Sequence, residues 1–281
     1  MSDNQLIGLA EDFFQNSLDS SPTSAIMRGH KKYFDQIEEL TEDQFQKEKE
    51  TVDNFIQRLN AIEKDNLTSR EQVTHGMLEF ALSSNQDSLL DRSWEFGAGV
   101  SGFTGFLIDY NQQMFVPDSE SADMMLKRLE LYKRLYTQIA EVQKEGLNNN
   151  RVATERNLLR TIDQLENYLA SSLDQDPLLL VNFSPEISGS EISEWKDKAK
   201  NIIEANIRPT VSAYLDQLKT EHLPKGRGDD KCGIMWIDGG EESYLRSLRK
   251  YTGHKATTVK EVHEIGLSEI ERLKKEFFEI G

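Results

Sequence analysis

The pair His263–Glu264 is where residue types and spacing come nearest to metal chemistry in this chain. A zinc peptidase site carried on one helix needs His-Glu-x-x-His. The two imidazoles, four residues apart, share a helix face and bind the ion, while the Glu activates water. Here the segment reads HEIGL, and Leu267 stands where the second His would be. His263 therefore reads as a helix-surface or helix-packing side chain. His30, His75, His222 and His254 have no ligand spacing, and His222 with Cys232 makes only a scattered pair. Other chemistries fail similar tests. There is no GxxxxGK[ST] phosphate loop, and GAGVSG at 97–102 departs from GxGxxG and follows no strand. There is no GxSxG elbow. Cys232 lacks an identifiable His/Asn system, and the carboxylates are too many to single out a glycosidase pair. No residue is assigned as catalytic, and none as a metal ligand.

Composition narrows the partners. The net charge of −16 would repel phosphate backbones, which argues against nucleic acid. Hydrophobic residues make up 37% and charged residues 29% of the 281 positions, a balance that suits long amphipathic helices with wide polar faces. The single cysteine allows no intrachain disulfide and fits a reducing compartment. The opening MSDNQLIGLAEDFF has no basic region and no long apolar core, so the chain as it stands reads as cytoplasmic, or as exported if a signal has been removed. No run approaches the length of a membrane span.

The elements that must position any site are helical. Apolar residues at helical spacing mark segments at about 3–19, 41–64, 69–87, 120–146, 151–173, 191–221, 239–251 and 259–279. Four starts read as capping boxes: Thr41 with Gln44, Thr68 with Glu71, Asp238 with Glu241, and Thr258 with Glu261. Gly146 reads as a C-cap, and Pro209 as a bend within the 191–221 helix. The 20–40 stretch reads as a polar loop. LLLVNF at 178–183, between prolines, reads as a buried extended connector able to form a short strand. Two glycine-rich segments, 93–118 and 223–240, are irregular. The first reads as turns plugged by Phe and Trp. The second is balanced between that and a cleft lining. The fold class is all-α, a multi-helix array of long antiparallel helices, with 1–281 as a single helical domain.

From residue 206 onward the motifs become specific. NIRPTVSAYLDQLKTEHLPK, GIMWIDGGEESYLRSLRKYT and TTVKEVHEIGLSEIERLKKEF occur in the order, and with much of the detail, of a bacterial family catalogued as domain of unknown function 885. Upstream, Pro22, Ala25 and Gly29 match its opening turn, and 122–169 follows its helix order. Val259 departs from the usual proline, and Ser243 from one tyrosine of an aromatic pair. The resemblance implies a zinc-metallopeptidase-like helical fold similar to angiotensin-converting enzyme and the neurolysin group. This chain would correspond to the N-terminal half of such a gluzincin-type fold. The family's metal motif, HExxPGHH, lies in a second half, so zinc is implied only there and no cofactor in this chain. By the same resemblance Trp236, Glu241, Tyr244, Arg249 and His254 would line the cleft. The bland alternative makes Glu241 a cap and the aromatics packing.

Three functions are consistent with this reading. The first is the N-terminal helical portion of a zinc-metallopeptidase-like protein, inactive alone. The second is a non-catalytic helical binding or interaction protein. The third is an enzyme with an unrecognised carboxylate site. The first two imply partners: a C-terminal half or a second copy, or a peptide ligand. The apolar row Ile265, Leu273 and Phe277, with Met235 and Trp236, is the expected seam if a second half exists. Otherwise it fills this chain's own core.

Overall fold

Many helix starts in this protein are fixed by short polar side chains, Thr41, Thr68, Asp118, Thr154, Ser188 and Thr258, that satisfy the first orphan amides. The computed structural model describes residues 2–97, 111–253 and 258–281. Its helices are α1 (Ser2–Asp19), α2 (Pro22–Met27), α3 (Glu42–Asn60), α4 (Ser69–Asp91), α5 (Ser119–Asn148), α6 (Glu155–Ala170), α7 (Gly189–Ile202), α8 (Arg208–Gln217), α9 (Gly240–Thr252) and α10 (Val259–Ile280). Thr68 and Thr258 form complete capping boxes with Glu71 and Glu261, as their spacing predicts. Thr41 caps α3, but the box is incomplete, because the Gln44 amide turns outward and donates to Glu48. Asp238 caps nothing. The N-cap of α9 is Gly239, at φ +70°, and Asp238 instead holds Asn150 and Arg151. A box that the sequence reading passed over, Ser188 with Glu191, opens α7.

The core forms around α5. Met125, Leu129, Tyr132, Leu135 and Tyr136 on this helix are almost wholly buried, against Ala199, Ile203, Ile207, Val211 and Leu218 of the α7–α8 path. Each such large apolar side chain contributes roughly 1.5–3 kcal/mol relative to exposure. A second cluster, with Leu6, Leu9, Phe55, Leu59 and Leu82, sits between α1, α3 and α4. The 20–40 stretch is no polar loop. It carries α2 and a 3₁₀ turn at Lys31–Tyr33, and it sends Ala25, Ile26, Tyr33 and Phe34 into the main core. The fully buried Arg128 of α5 fastens it there, donating to the Gln36 carbonyl and to Thr23 Oγ1 at 2.6 Å.

Three local details follow from backbone chemistry. Pro209 has no amide to give to the preceding turn, and the ladder widens into a π-turn at Ile203–Ile207 just before α8. Gly146 is not a C-cap: α5 runs through it to Asn148. A Cβ there would meet the Glu95 carbonyl oxygen at 2.4 Å, so the glycine permits a close backbone approach. The LLLVNF connector contributes β2 (Asn182–Phe183), which pairs in parallel with β1 (Phe115–Val116) in the register Phe115↔Asn182. These two-residue strands are the whole sheet among the described residues, so the all-α expectation holds. Among the described residues no helix is long and apolar enough to cross a membrane.

Candidate functional site

The segment expected to line a cleft is built on a glycine. A Cβ on Gly240 would lie 1.8 Å from the Ile234 carbonyl oxygen, so only glycine lets the 3₁₀ turn Ile234–Trp236 sit directly on the first turn of α9. Arg227 locks the other side of this turn. Its guanidinium donates to the carbonyls of Val152 (2.8 Å), Lys231 (2.6 Å) and Gly233 (2.6 Å). Trp236 is thereby held about half exposed, with the Lys231 ammonium 5.6 Å from its ring centroid.

Two ion pairs set the position of α9. Arg246 Nε meets Asp91 Oδ1 at 2.5 Å and Arg249 Nη2 meets Asp87 Oδ1 at 3.1 Å, both at the C-terminal end of α4. Residue numbers rise along α9 as they fall along α4, so the two helices run antiparallel. Behind this contact Arg151 bridges three pieces of chain, donating to the carbonyls of Asp91 and Asp238. Its Nε lies 2.5 Å from Glu95 Oε2, off the hydrogen-bond line, so that contact is ionic. Arg92, with Glu42 and Glu95 around it, has its pKa raised above the usual guanidinium value by those hydrogen bonds. This basic–acidic weave is structural, because its charges satisfy one another.

The expected site residues divide accordingly. Arg249 is a tether to α4 and is engaged. Glu241 is exposed in the first turn of α9 and completes no capping box. Tyr244, one turn further on, is also exposed, as are Met235 and Trp236. His254 lies outside the described residues, as does the 98–110 part of the aromatic-glycine segment. The structure thus places Trp236, Glu241 and Tyr244 on one locked unit with outward-facing side chains. Ser243 and Leu248 form its buried face. Among the described residues no group of three His, Cys, Asp or Glu side chains could hold a metal ion.

Apolar exposure continues into α10. None of its residues is buried, and Ile265, Ile270, Leu273 and Phe277 stand in solvent, with Phe277 at 74% exposure. The alternative in which these side chains fill this chain's own core is overturned. A second exposed row, Val73, Met77 and Phe80, lies on α4 N-terminal to the α9 contact. Sequence reasoning missed this row because α4 has apolar residues on two faces, and the inner one is Leu78 and Leu82. Arg246, Asp87 and Asp91 were also missed. Their signal was two basic positions three apart and two acidic positions four apart, each pair on one face of a helix, on helices far apart in sequence.

Comparison with known proteins supplies the relationship. No curated protein matches this chain. The crystal structure described as that of "the putative lipoprotein from Colwellia psychrerythraea" superposes with a TM-score of 0.80 at 16% identity. The match covers 97% of this chain and 50% of that one, so this chain spans half the length of that solved structure. At that identity the likeness establishes the fold alone. A family model described as "Bacterial protein of unknown function (DUF885)" matches residues 22–281, and the chain belongs to that family.

Proposed function

We propose that this chain is a non-catalytic helical interaction unit. Its exposed α10, with the Met235–Trp236 turn, docks on the polypeptide that completes the longer fold. The observation that carries this reading is a 22-residue helix with an apolar row and no buried residue. Exposed apolar patches of more than a few hundred Å² are unusual on soluble monomers and mark interfaces. The chain's charge of −16 opposes loose aggregation but leaves a specific apolar seam available. The metallopeptidase-like reading, with a gluzincin-type fold and zinc held by the other half, rests on the resemblance of residues 206–279. In that reading Trp236, Glu241 and Tyr244 line a cleft that the second polypeptide closes. Interaction has the stronger support, since it needs only the surface described here.

The test is light scattering of the chain alone and mixed with the purified product of the coding sequence downstream of Gly281. The proposal expects a one-to-one complex that Phe277→Asp abolishes while the isolated chain keeps its melting temperature. A chain that stays monomeric in the mixture, and loses stability on Phe277→Asp, would overturn it.

A further inference from the structure

Gly266 lies in the interior of α10, and nothing among the described residues accounts for it. Its φ is negative, and a Cβ built there meets no atom within 4 Å. Glycine is among the least favourable residues in a helix interior, because it gives up the most backbone freedom on folding. Two other helical glycines have a reason within the fold. At Gly146 the backbone of Glu95 occupies the space of a side chain, and at Gly240 that of Ile234 does. Gly76 on α4 also faces open space, but α4 is held by packing against α1, α3 and α9. By contrast α10 has no buried residue, so packing among the described residues supplies no reason for Gly266.

Its position on the helix points to one. Val259, Val262, Gly266, Ile270, Leu273 and Phe277 follow one another at intervals of three or four residues and so form one continuous stripe. Along it, large apolar side chains flank a single notch without a side chain. Packed helices approach to a distance set by the side chains at their crossing point, and a glycine there permits the closest approach. We infer that Gly266 is the crossing point of a partner helix, whose apolar face lies along this stripe. This rests on the interaction reading above, and the occupant is a helix of the polypeptide that completes the longer fold. The notch is a specificity device: a partner seated elsewhere along α10 would gain the same apolar burial but not the close backbone approach.

The test titrates the purified product of the coding sequence downstream of Gly281 into the full chain, by calorimetry. The variants are Gly266→Ala, Gly266→Leu and Phe277→Asp, each checked by circular dichroism. Gly266→Ala should leave the helix content of the free chain unchanged or higher, yet weaken binding at least tenfold. Gly266→Leu should weaken it further, and Phe277→Asp should abolish it. If both Gly266 variants bind within twofold of the unmodified chain while Phe277→Asp fails, the crossing point is wrong and the seam stands. If the unmodified chain does not bind that product, the seam is wrong and the crossing point falls with it.

Discussion

At the scale of single residues, the glycines and one aspartate make the sharpest predictions. Gly146→Ala drives a methyl group into the Glu95 backbone, and overpacking of this kind costs about 1–3 kcal/mol. Gly76→Ala adds a methyl group in open space on α4 and should stabilise by about 0.5–1 kcal/mol. Urea denaturation of the two variants checks both signs. Asp118 accepts from Lys31 and from the Ser121 amide at the start of α5. Those bonds, Lys31 first, hold its carboxyl down at about 2, below the ordinary 3.8. A depressed carboxylate contributes stability that is present above the unfolded value and is lost as pH falls through the folded one. Asp118→Asn should therefore lower the melting temperature at pH 7, with the difference closing between pH 3.8 and about 2. At Leu267 the missing second imidazole predicts that the chain keeps no zinc after dialysis against a weak chelator. One equivalent retained and then lost on His263→Ala would contradict that.

At the scale of elements, α9 and α10 are stabilised in opposite ways. Tertiary contacts hold α9: the Gly240 seat, the buried Ser243 and Leu248, and the two arginine tethers to α4. The Arg246–Asp91 pair is largely shielded, with each side chain at 17% exposure. A double-mutant cycle across it should give a coupling of about 0.5–3 kcal/mol. A value near zero would mean that packing alone places α9. Local terms carry α10: the Thr258–Glu261 box and pairs such as Arg272–Glu269 at 2.8 Å and Lys274–Glu271 at 2.8 Å. Each such pair contributes only about 0.2–0.5 kcal/mol, and the tertiary packing of an apolar face that supplies most helical stability in proteins is missing from α10, which has no buried residue.

At the scale of the whole molecule, that contrast predicts a gradient of protection. Amide hydrogen exchange reports local opening, and helices with few buried contacts open first. The amides of α10 should exchange far faster than those of α5, whose apolar face is the centre of the core. Binding of the downstream product should protect α10 and leave α5 unchanged. Equal protection of α5 and α10 in the free chain would mean that α10 is buried in solution, contrary to its exposure here.

The sequence by itself determined what is local. The helices, the Thr68 and Thr258 boxes, the all-α class and the missing second imidazole at Leu267 all depend on residues within one or two turns of each other, and all were legible. The family resemblance was legible too, because it rests on residue order. What needed tertiary structure was every choice between equally good local partners. Gln44 had Thr41 and Glu48 within reach, and the outward bond is the one made. Asp238 looked like a cap, but its carboxylate accepts from Asn150, far away in sequence. Gly146 carried a plausible C-cap signal, but the Glu95 backbone crosses there and the helix continues. Residues 20–40 looked polar because their few apolar side chains lack a helical period, yet Arg128 and the α5 core draw them in. The apolar row of α10 reads the same in sequence whether it is buried or bare. Only the packing of the rest of the chain leaves it bare, since the core closes on α5 without needing it.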